Sequence, residues 1–225
     1  MKRRNRYYKA AKISEAKFRQ IICCFSEDLT ASSTARMTGV SVRSVNDLFL
    51  KIRKRLVEIS EVQSPFEGKL ELDESYFGPK RVHGKRGRGA GGKTIVFGIL
   101  KRGENVYTRI IPNTAKSTLR KVIRGRVSLN SIIHSDSWIG YDGLVDVGYA
   151  KHLRVRHADG QYAVQDNHIN GIESFWSFAK HRLSRFHGIP KHTFYLHLKE
   201  TEFRFNHRHG NLYRALLKLF REDPL

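Results

Sequence analysis

Three carboxylates stand inside otherwise apolar runs. Asp73 follows Leu70 and Leu72 and precedes Tyr76 and Phe77; Asp136 follows Ile132 and Ile133; Glu173 falls between Ile172 and Phe175. Burying a carboxylate without a partner is costly, so each demands a positive counterpart. Metal ions are one such counterpart. Three acids offer oxygen ligands only and leave coordination positions for water and phosphate, a set suited to Mg²⁺ or Mn²⁺. Two ions about 4 Å apart would activate an attacking oxygen and stabilise a leaving one during in-line displacement at phosphorus. Glu173 lies 37 positions after Asp136, and Lys180 lies seven after Glu173, two helical turns on the same face. A cation at that point is placed to hold a phosphate beside the metals.

The neighbours of these acids have plainer readings. Singly, any of them is more often structural than catalytic; their joint spacing and element order carry the chemical reading. Strand alternation puts Glu71 on the face of Asp73, where it can assist from behind, and turns Glu74 to the other face, solvated or paired with an arginine. His134 and His168 each lie close to a proposed ligand and suit a supporting hydrogen bond, a DNA contact or ordinary polar packing. Trp138 and Trp176 read as core before they read as base-stacking residues. The segment 79–92 holds six Lys, Arg or His residues and five glycines; it is a flexible connection or a clamp on DNA phosphates through Lys85, Arg86 and Arg88, continued by Lys93. Residues 203–209 (FRFNHRH) look like a basic helix end.

The elements that must position the acids follow from periodicity. Residues 69–78 alternate apolar and polar, 93–101 form a buried apolar run, and 105–111 follow a glycine turn, as in an antiparallel meander. Residues 114–127 space Leu119, Val122, Ile123 and Val127 for one helical face. A short strand over 131–136 ends on Asp136, an irregular or helical stretch covers 140–149, and a strand passes through Leu153 and Val155. A long helix runs from Asn170 to about Phe186, with more helix after Pro190. Three strands, helix, strand, helix, strand, helix is the order of the ribonuclease-H-like fold.

Ahead of this α/β domain the chain reads as helical, with a boundary at residues 60–68. Ser14 caps a helix bearing Phe18, Ile21, Ile22 and Phe25. A short helix from Thr30 ends at Gly39, and Ser41 starts a longer one over 42–57. That is the helix-turn-helix pattern; an ordinary three-helix bundle is the bland reading. In a DNA groove, Arg43, Ser44 and Asn46 would face the bases and Lys51, Arg53, Lys54 and Arg55 the backbone.

Charge favours such a partner. The 225 residues carry 42 Lys+Arg against 21 Asp+Glu, a net +21, and nucleic acid is the commonest anionic partner. A membrane-surface protein would show a lysine-rich amphipathic helix or a lipidation signal, and neither is present. No run approaches a membrane span. The two cysteines, Cys23 and Cys24, are adjacent and read as buried thiols on a helix, which fits a reducing compartment.

The segments LDESYFG (72–78), KRGRGAGGK (85–93), HSDSWIGYDGL (134–144) and HINGIESFWSFAK (168–180) resemble the DDE transposases of small bacterial insertion sequences, in the ISXO2-like group related to Merlin elements. The resemblance spans about residues 68–210. It implies an RNase-H-like fold and two divalent ions on Asp73, Asp136 and Glu173, with Lys180 as the accompanying basic residue. It also implies action on terminal inverted repeats. Some members use Asn as the third residue, which leaves Asn170 open beside Glu173. Many carry an N-terminal zinc ribbon; this sequence lacks its CxxC pairs, so no structural zinc is expected.

The expected division is a helix-turn-helix domain over 1–62, a mixed-sheet RNase-H-like catalytic domain over 68–210 and a helical tail over 211–225. The expected partners are double-stranded DNA, both element ends and target, and a second copy of the chain, in a cytoplasmic, nucleoid-associated setting. Two rivals stand: a nuclease of the same fold that cuts without joining, and a helix-turn-helix regulator without catalysis. A defective copy of the element is a third possibility.

Overall fold

The computed structural model describes residues 5–62, 66–78, 93–136, 148–155 and 169–225, the side chains of residues 136, 154 and 155 excepted. Along the chain these form α1 (Glu15–Ser26), α2 (Ala31–Thr38), α3 (Val42–Val62), β1 (Lys69–Phe77), β2 (Thr94–Lys101), β3 (Val106–Ile111), α4 (Lys116–Arg124), β4 (Ile132–Asp136), β5 (Lys151–Val155), α5 (Asn170–Ser184), α6 (Lys191–Asn206) and α7 (Leu212–Glu222). They divide into two compact units, Met1–Glu61 with Asn206–Leu225, and Val62–Phe205.

The first unit is all helical. Ser14 accepts the Lys17 N–H at 3.3 Å and starts α1, which buries Phe18, Ile21, Ile22 and Phe25. Thr30 caps α2 in the same way, and α2 stops where Gly39 turns left-handed at φ 67°. Two residues on, Ser41 accepts the Ser44 N–H and begins α3, whose Val45, Leu48, Phe49, Ile52 and Leu56 repeat at three and four and are buried. Helix α3 runs five residues beyond the end that the sequence pattern suggests. The segment expected as a separate tail is instead the fourth helix of this unit. Its stripe of Leu216, Leu217 and Phe220 is buried, Phe220 meets Phe18 edge-on at 6.1 Å, and Asp223 pairs with Arg55. The chain end is tied down by Leu225 N–H to the Tyr7 carbonyl at 3.0 Å. Cys24 is buried, which pushes its thiol pKa up, but Cys23 is exposed, against the expectation that both are buried.

The second unit is mixed α/β, with a five-stranded sheet in the order β3-β2-β1-β4-β5. β1 pairs antiparallel with β2 and parallel with β4; β2–β3 is antiparallel and β4–β5 parallel. This architecture is compatible with the ribonuclease-H-like fold that the order of elements suggests. Alternation sorts the side chains onto two faces. Leu70, Leu72, Phe97, Ile99, Tyr107 and Ile133 pack with Leu119, Val122 and Ile123 of α4. Phe77, Val96, Leu100 and Val106 pack with Ile172, Phe175, Trp176 and Ala179 of α5 and with α6. The central strand β1 is therefore covered on both sides. That overturns the reading of Glu74 as a solvated residue: it is 9 % exposed.

Helix α6 carries its charges inward. Glu200 accepts from Arg182 at 2.5 Å and Arg204 at 2.9 Å, and Lys199 meets Glu202 at 3.0 Å. Glu202 also accepts the backbone N–H and the hydroxyl of Thr108 at 2.7 and 2.6 Å, which satisfies a main-chain donor of the edge strand β3. The basic helix end read over 203–209 is thus divided: Arg204 and Phe205 are buried, and Arg208 and His209 are exposed.

Candidate active site

The site is built where β1 and β4 run side by side. Leu72 is in register with Ser135, so Asp73 and Asp136 are the next residues along two parallel strands. On the other side of β1, Asp73 is in register with Gly98 of β2. One row deeper lie Glu71 and His134, again in register. Both are 1 % exposed, whereas Asp73 is half-buried.

Helix α5, which carries Glu173 on its first turn, packs against this part of the sheet. Its N-cap, Ile169, has no side chain able to cap the helix. The first-turn N–H of Ile172 instead donates to Glu71 Oε2 at 2.9 Å, and Arg102 Nε donates to Glu71 Oε1 at 2.9 Å. A carboxylate at a helix N-terminus also opposes the helix dipole favourably. One turn later the indole of Trp176 donates from Nε1 to Asp73 Oδ2 at 3.0 Å. Glu173 lies between these two fixed points.

Two glycines make the approach possible. A Cβ on Gly98 would stand 2.7 Å from Trp176 Cζ2 and 2.8 Å from Ile172 Cδ1. A Cβ on Gly171 would stand 2.9 Å from Glu71 Oε2 and 3.0 Å from Leu100 Cδ2. Larger residues at either position would lift α5 off the sheet.

The expected site residues fare differently. Glu173 is exposed on the first turn of α5, as is Asn170, so the argument from buried acids applies to Asp73 and not to Glu173. The apolar stripe of α5 runs through Ile172, Phe175, Trp176, Ala179 and Leu183, and Glu173 is turned about 100° from Ile172. Lys180 is exposed two turns beyond it. Glu71, expected to assist from behind Asp73, is buried, with Oε1 on Arg102 and Oε2 on the Ile172 N–H. His134 is sealed within the sheet layer, which rules out a DNA contact for it. Trp176 is core, as read, with an unforeseen polar bond to Asp73.

Among the described residues, no three His, Cys, Asp or Glu side chains gather as a metal centre. The side chain of Asp136 is not among those described. The all-oxygen donor set of Asp73, Asp136 and Glu173 nonetheless fits a hard divalent ion in its chemistry. Lys85, Arg86, Arg88, Trp138, His168 and residues 140–147 also lie outside the described residues.

In the helical unit Arg43 and Asn46 are exposed at the start of α3; in the second unit Lys93 is exposed just before β2. The Ser44 hydroxyl is engaged with Ser41 at 2.9 Å. Lys51 donates to the Tyr8 hydroxyl at 2.7 Å, Arg53 lies over Phe25 and Phe49, and Arg55 pairs with Glu58 and Asp223. These contacts lie within the helical unit, and the basic pattern alone does not reveal them.

The arrangement is a two-faced mixed sheet with Asp73 and Asp136 on adjacent parallel strands and α5 packed across one face. Comparison with known families identifies it: residues 65–206 match the ISXO2-like transposase domain, and the chain belongs to that family of insertion-sequence transposases. It is 42 % identical over 113 residues to an "Uncharacterized transposase-like protein" of Haemophilus influenzae, covering 50 % of this chain and 90 % of that one. It is 29 % identical over 164 residues to an "Uncharacterized protein in transposable element ISH50" of Halobacterium salinarum, covering 66 % of this chain and 55 % of that one. Among the described residues, no helix is long and apolar enough to cross a membrane.

Proposed function

We propose that this chain cuts DNA at the terminal inverted repeats of its element and joins the freed ends to target DNA, with Asp73, Asp136 and Glu173 as the catalytic acids. The observation that carries this reading is the register of Asp73 beside Asp136 on parallel strands, under a helix whose first turn presents Glu173. Two Mg²⁺ or Mn²⁺ ions held by these acids would supply charge stabilisation at the reacting phosphorus. In the first step a water oxygen bonds to phosphorus and the 3′ oxygen leaves as a hydroxyl. In the second, that hydroxyl bonds to a target phosphorus and displaces the target's own 3′ oxygen. Phosphoester bonds are exchanged without a change of oxidation state.

The chain's own residues orient these events. Trp176 fixes the Asp73 carboxylate, and Lys180, exposed on the stripe of Glu173, holds a phosphate beside it. The α2–Gly39–α3 turn presents Arg43 and Asn46 to the element's end as a helix-turn-helix, and Lys93 of the second unit is a separate contact to DNA phosphate. The net charge of +21 supports engagement of several DNA segments by two or more copies.

Strand transfer tests this directly. The full chain is incubated with a labelled duplex bearing the element's end and a plasmid target, with Mg²⁺ or with EDTA. Joined product that needs metal and is lost in Asp136→Asn, with DNA binding retained, is the expected result. Cleavage without joining would make the chain a nuclease; binding without either would make it a regulator or a defective copy.

A further inference from the structure

We propose that Glu71 and Trp176 form a two-point lock that sets the register of α5 on β1, and with it the spacing of Glu173 from Asp73. The inference rests on the catalytic reading of those two acids and assigns positioning residues to it. Neither lock residue is a catalytic acid; each acts through a neighbour.

The geometry of the lock is specific. Glu71 and Asp73 are two residues apart on a strand, about 6.6 Å along its axis. Ile172 and Trp176 are four apart on a helix, about 6 Å along its axis. The two hydrogen bonds, Ile172 N–H to Glu71 and Trp176 Nε1 to Asp73, therefore join matching intervals on the two elements. A helix slipped by one residue turns by about 100° and loses both bonds. A strand slipped by one residue sends Glu71 and Asp73 to the opposite face.

The chemistry argues that this is more than a helix cap. A Ser, Thr, Asp or Asn at position 169 would cap α5 locally. The chain has Ile169 there and obtains the cap from a carboxylate on the central strand, almost fully buried and balanced by Arg102. Burying that ion pair costs desolvation that a local cap avoids. What the distant cap adds is a fixed relation between helix and strand. Gly171 belongs to the same device, because a side chain there would collide with the Glu71 carboxylate.

The test uses the full chain and the variants Glu71→Gln, Trp176→Phe, Asp73→Asn and Asp136→Asn. A glutamine has one oxygen where Glu71 uses two, and turns an NH₂ toward Arg102 or the Ile172 N–H. A phenylalanine keeps much of the ring packing of Trp176 and loses the donor. Mn²⁺ affinity is read from the free-ion electron paramagnetic resonance signal, alongside urea unfolding without metal. Glu71→Gln and Trp176→Phe are expected to weaken Mn²⁺ binding by about 10–100-fold while unfolding stays cooperative. Where Asp136→Asn abolishes Mn²⁺ binding, an affinity within twofold of wild type in either variant overturns the lock and leaves that residue a purely structural role.

A second readout needs no metal. The Trp176 indole N–H resonance, identified by its loss in Trp176→Phe, should move in both Asp73→Asn and Glu71→Gln. If it moves only in Asp73→Asn, the two points are independent and the lock fails. If the indole responds to both variants but Asp136→Asn leaves Mn²⁺ binding intact, the metal-site reading fails while the lock stands.

Discussion

Replacing Gly98 with alanine should damage the site through packing alone. The added methyl would meet Trp176 Cζ2 at 2.7 Å, Ile172 Cδ1 at 2.8 Å and Trp176 Cη2 at 2.9 Å. The indole cannot simply step aside. It is packed against Phe175 and Phe77, with ring centroids at 5.0 and 6.1 Å, and its N–H is bonded to Asp73. Overpacking of this kind costs about 1–3 kcal/mol. For a chain of this length that corresponds to a fall of about 2–12 °C in the unfolding midpoint. Thermal unfolding followed by circular dichroism, on Gly98→Ala, Trp176→Phe and the double variant, measures it. Phenylalanine lacks the Cζ2 and Cη2 atoms of the indole, so the double variant should recover stability, with a coupling of about 0.5–3 kcal/mol. The remaining Ile172 Cδ1 contact is the end of a flexible chain and can turn away. An unchanged midpoint in Gly98→Ala, or strictly additive effects, would refute the claim that Gly98 exists to admit Trp176.

Other consequences are measurable. Lys199→Met leaves Glu202 buried without its cation and should lower stability by about 3–5 kcal/mol in urea unfolding. Gly39→Ala meets no atom within 4 Å, so its cost should be backbone strain alone, about 1–2 kcal/mol, seen in the midpoint of the helical unit. Arg6 holds the Glu15 carboxyl below its ordinary pKa, chiefly by hydrogen bonding. That stabilisation is present above the ordinary carboxylate value and is lost as pH falls through the lowered one. Wild type and Arg6→Gln should therefore differ in urea midpoint at neutral pH and converge in acid, and high salt should shrink the difference, since the pair is exposed. Arg43→Ala should weaken binding to the element's end in a mobility-shift titration more than binding to unrelated duplex; equal losses would argue against base contact by α3.

The sheet and its covering helices were legible because their signals are local. Alternation over β1, the apolar run of β2 and the three-four spacing of Leu119, Val122 and Ile123 each need only neighbouring residues to be read. What escaped depends on which elements meet. Glu74 alternates like a surface residue, but β1 is the central strand, so both its faces are covered. Helix α6 shows almost no amphipathic pattern because its buried side includes Lys199, Glu200, Glu202 and Arg204, matched by Arg182 and Thr108 from other elements. Helix α7 lies far along the chain from α1, and only the fold brings Phe220 to Phe18. The acids at 73, 136 and 173 could be picked out by type and spacing. The bond that ties Asp73 to Trp176 could not, since a tryptophan in an apolar stripe carries no sign of what its one polar atom meets.

The burial of the acids supports a division of labour along the strand axis. Glu71 is sealed, Asp73 one row above it is half-buried, and Glu173 on the helix is exposed. A carboxylate at the bottom of this gradient cannot reach a DNA strand, and its oxygens are both bound to protein donors. One at the top is exposed, and its position depends on the helix that carries it. The gradient also runs toward the C-terminal ends of the parallel strands β1 and β4, where open α/β sheets bind their ligands. A site assembled this way needs its most buried member for geometry and its most exposed member for access. Exchanging the two, as in the paired variants Glu71→Gln and Glu173→Gln, should separate the effects. The first should lower stability together with cleavage. The second should lower cleavage alone, because Glu173 lies exposed on the first turn of α5.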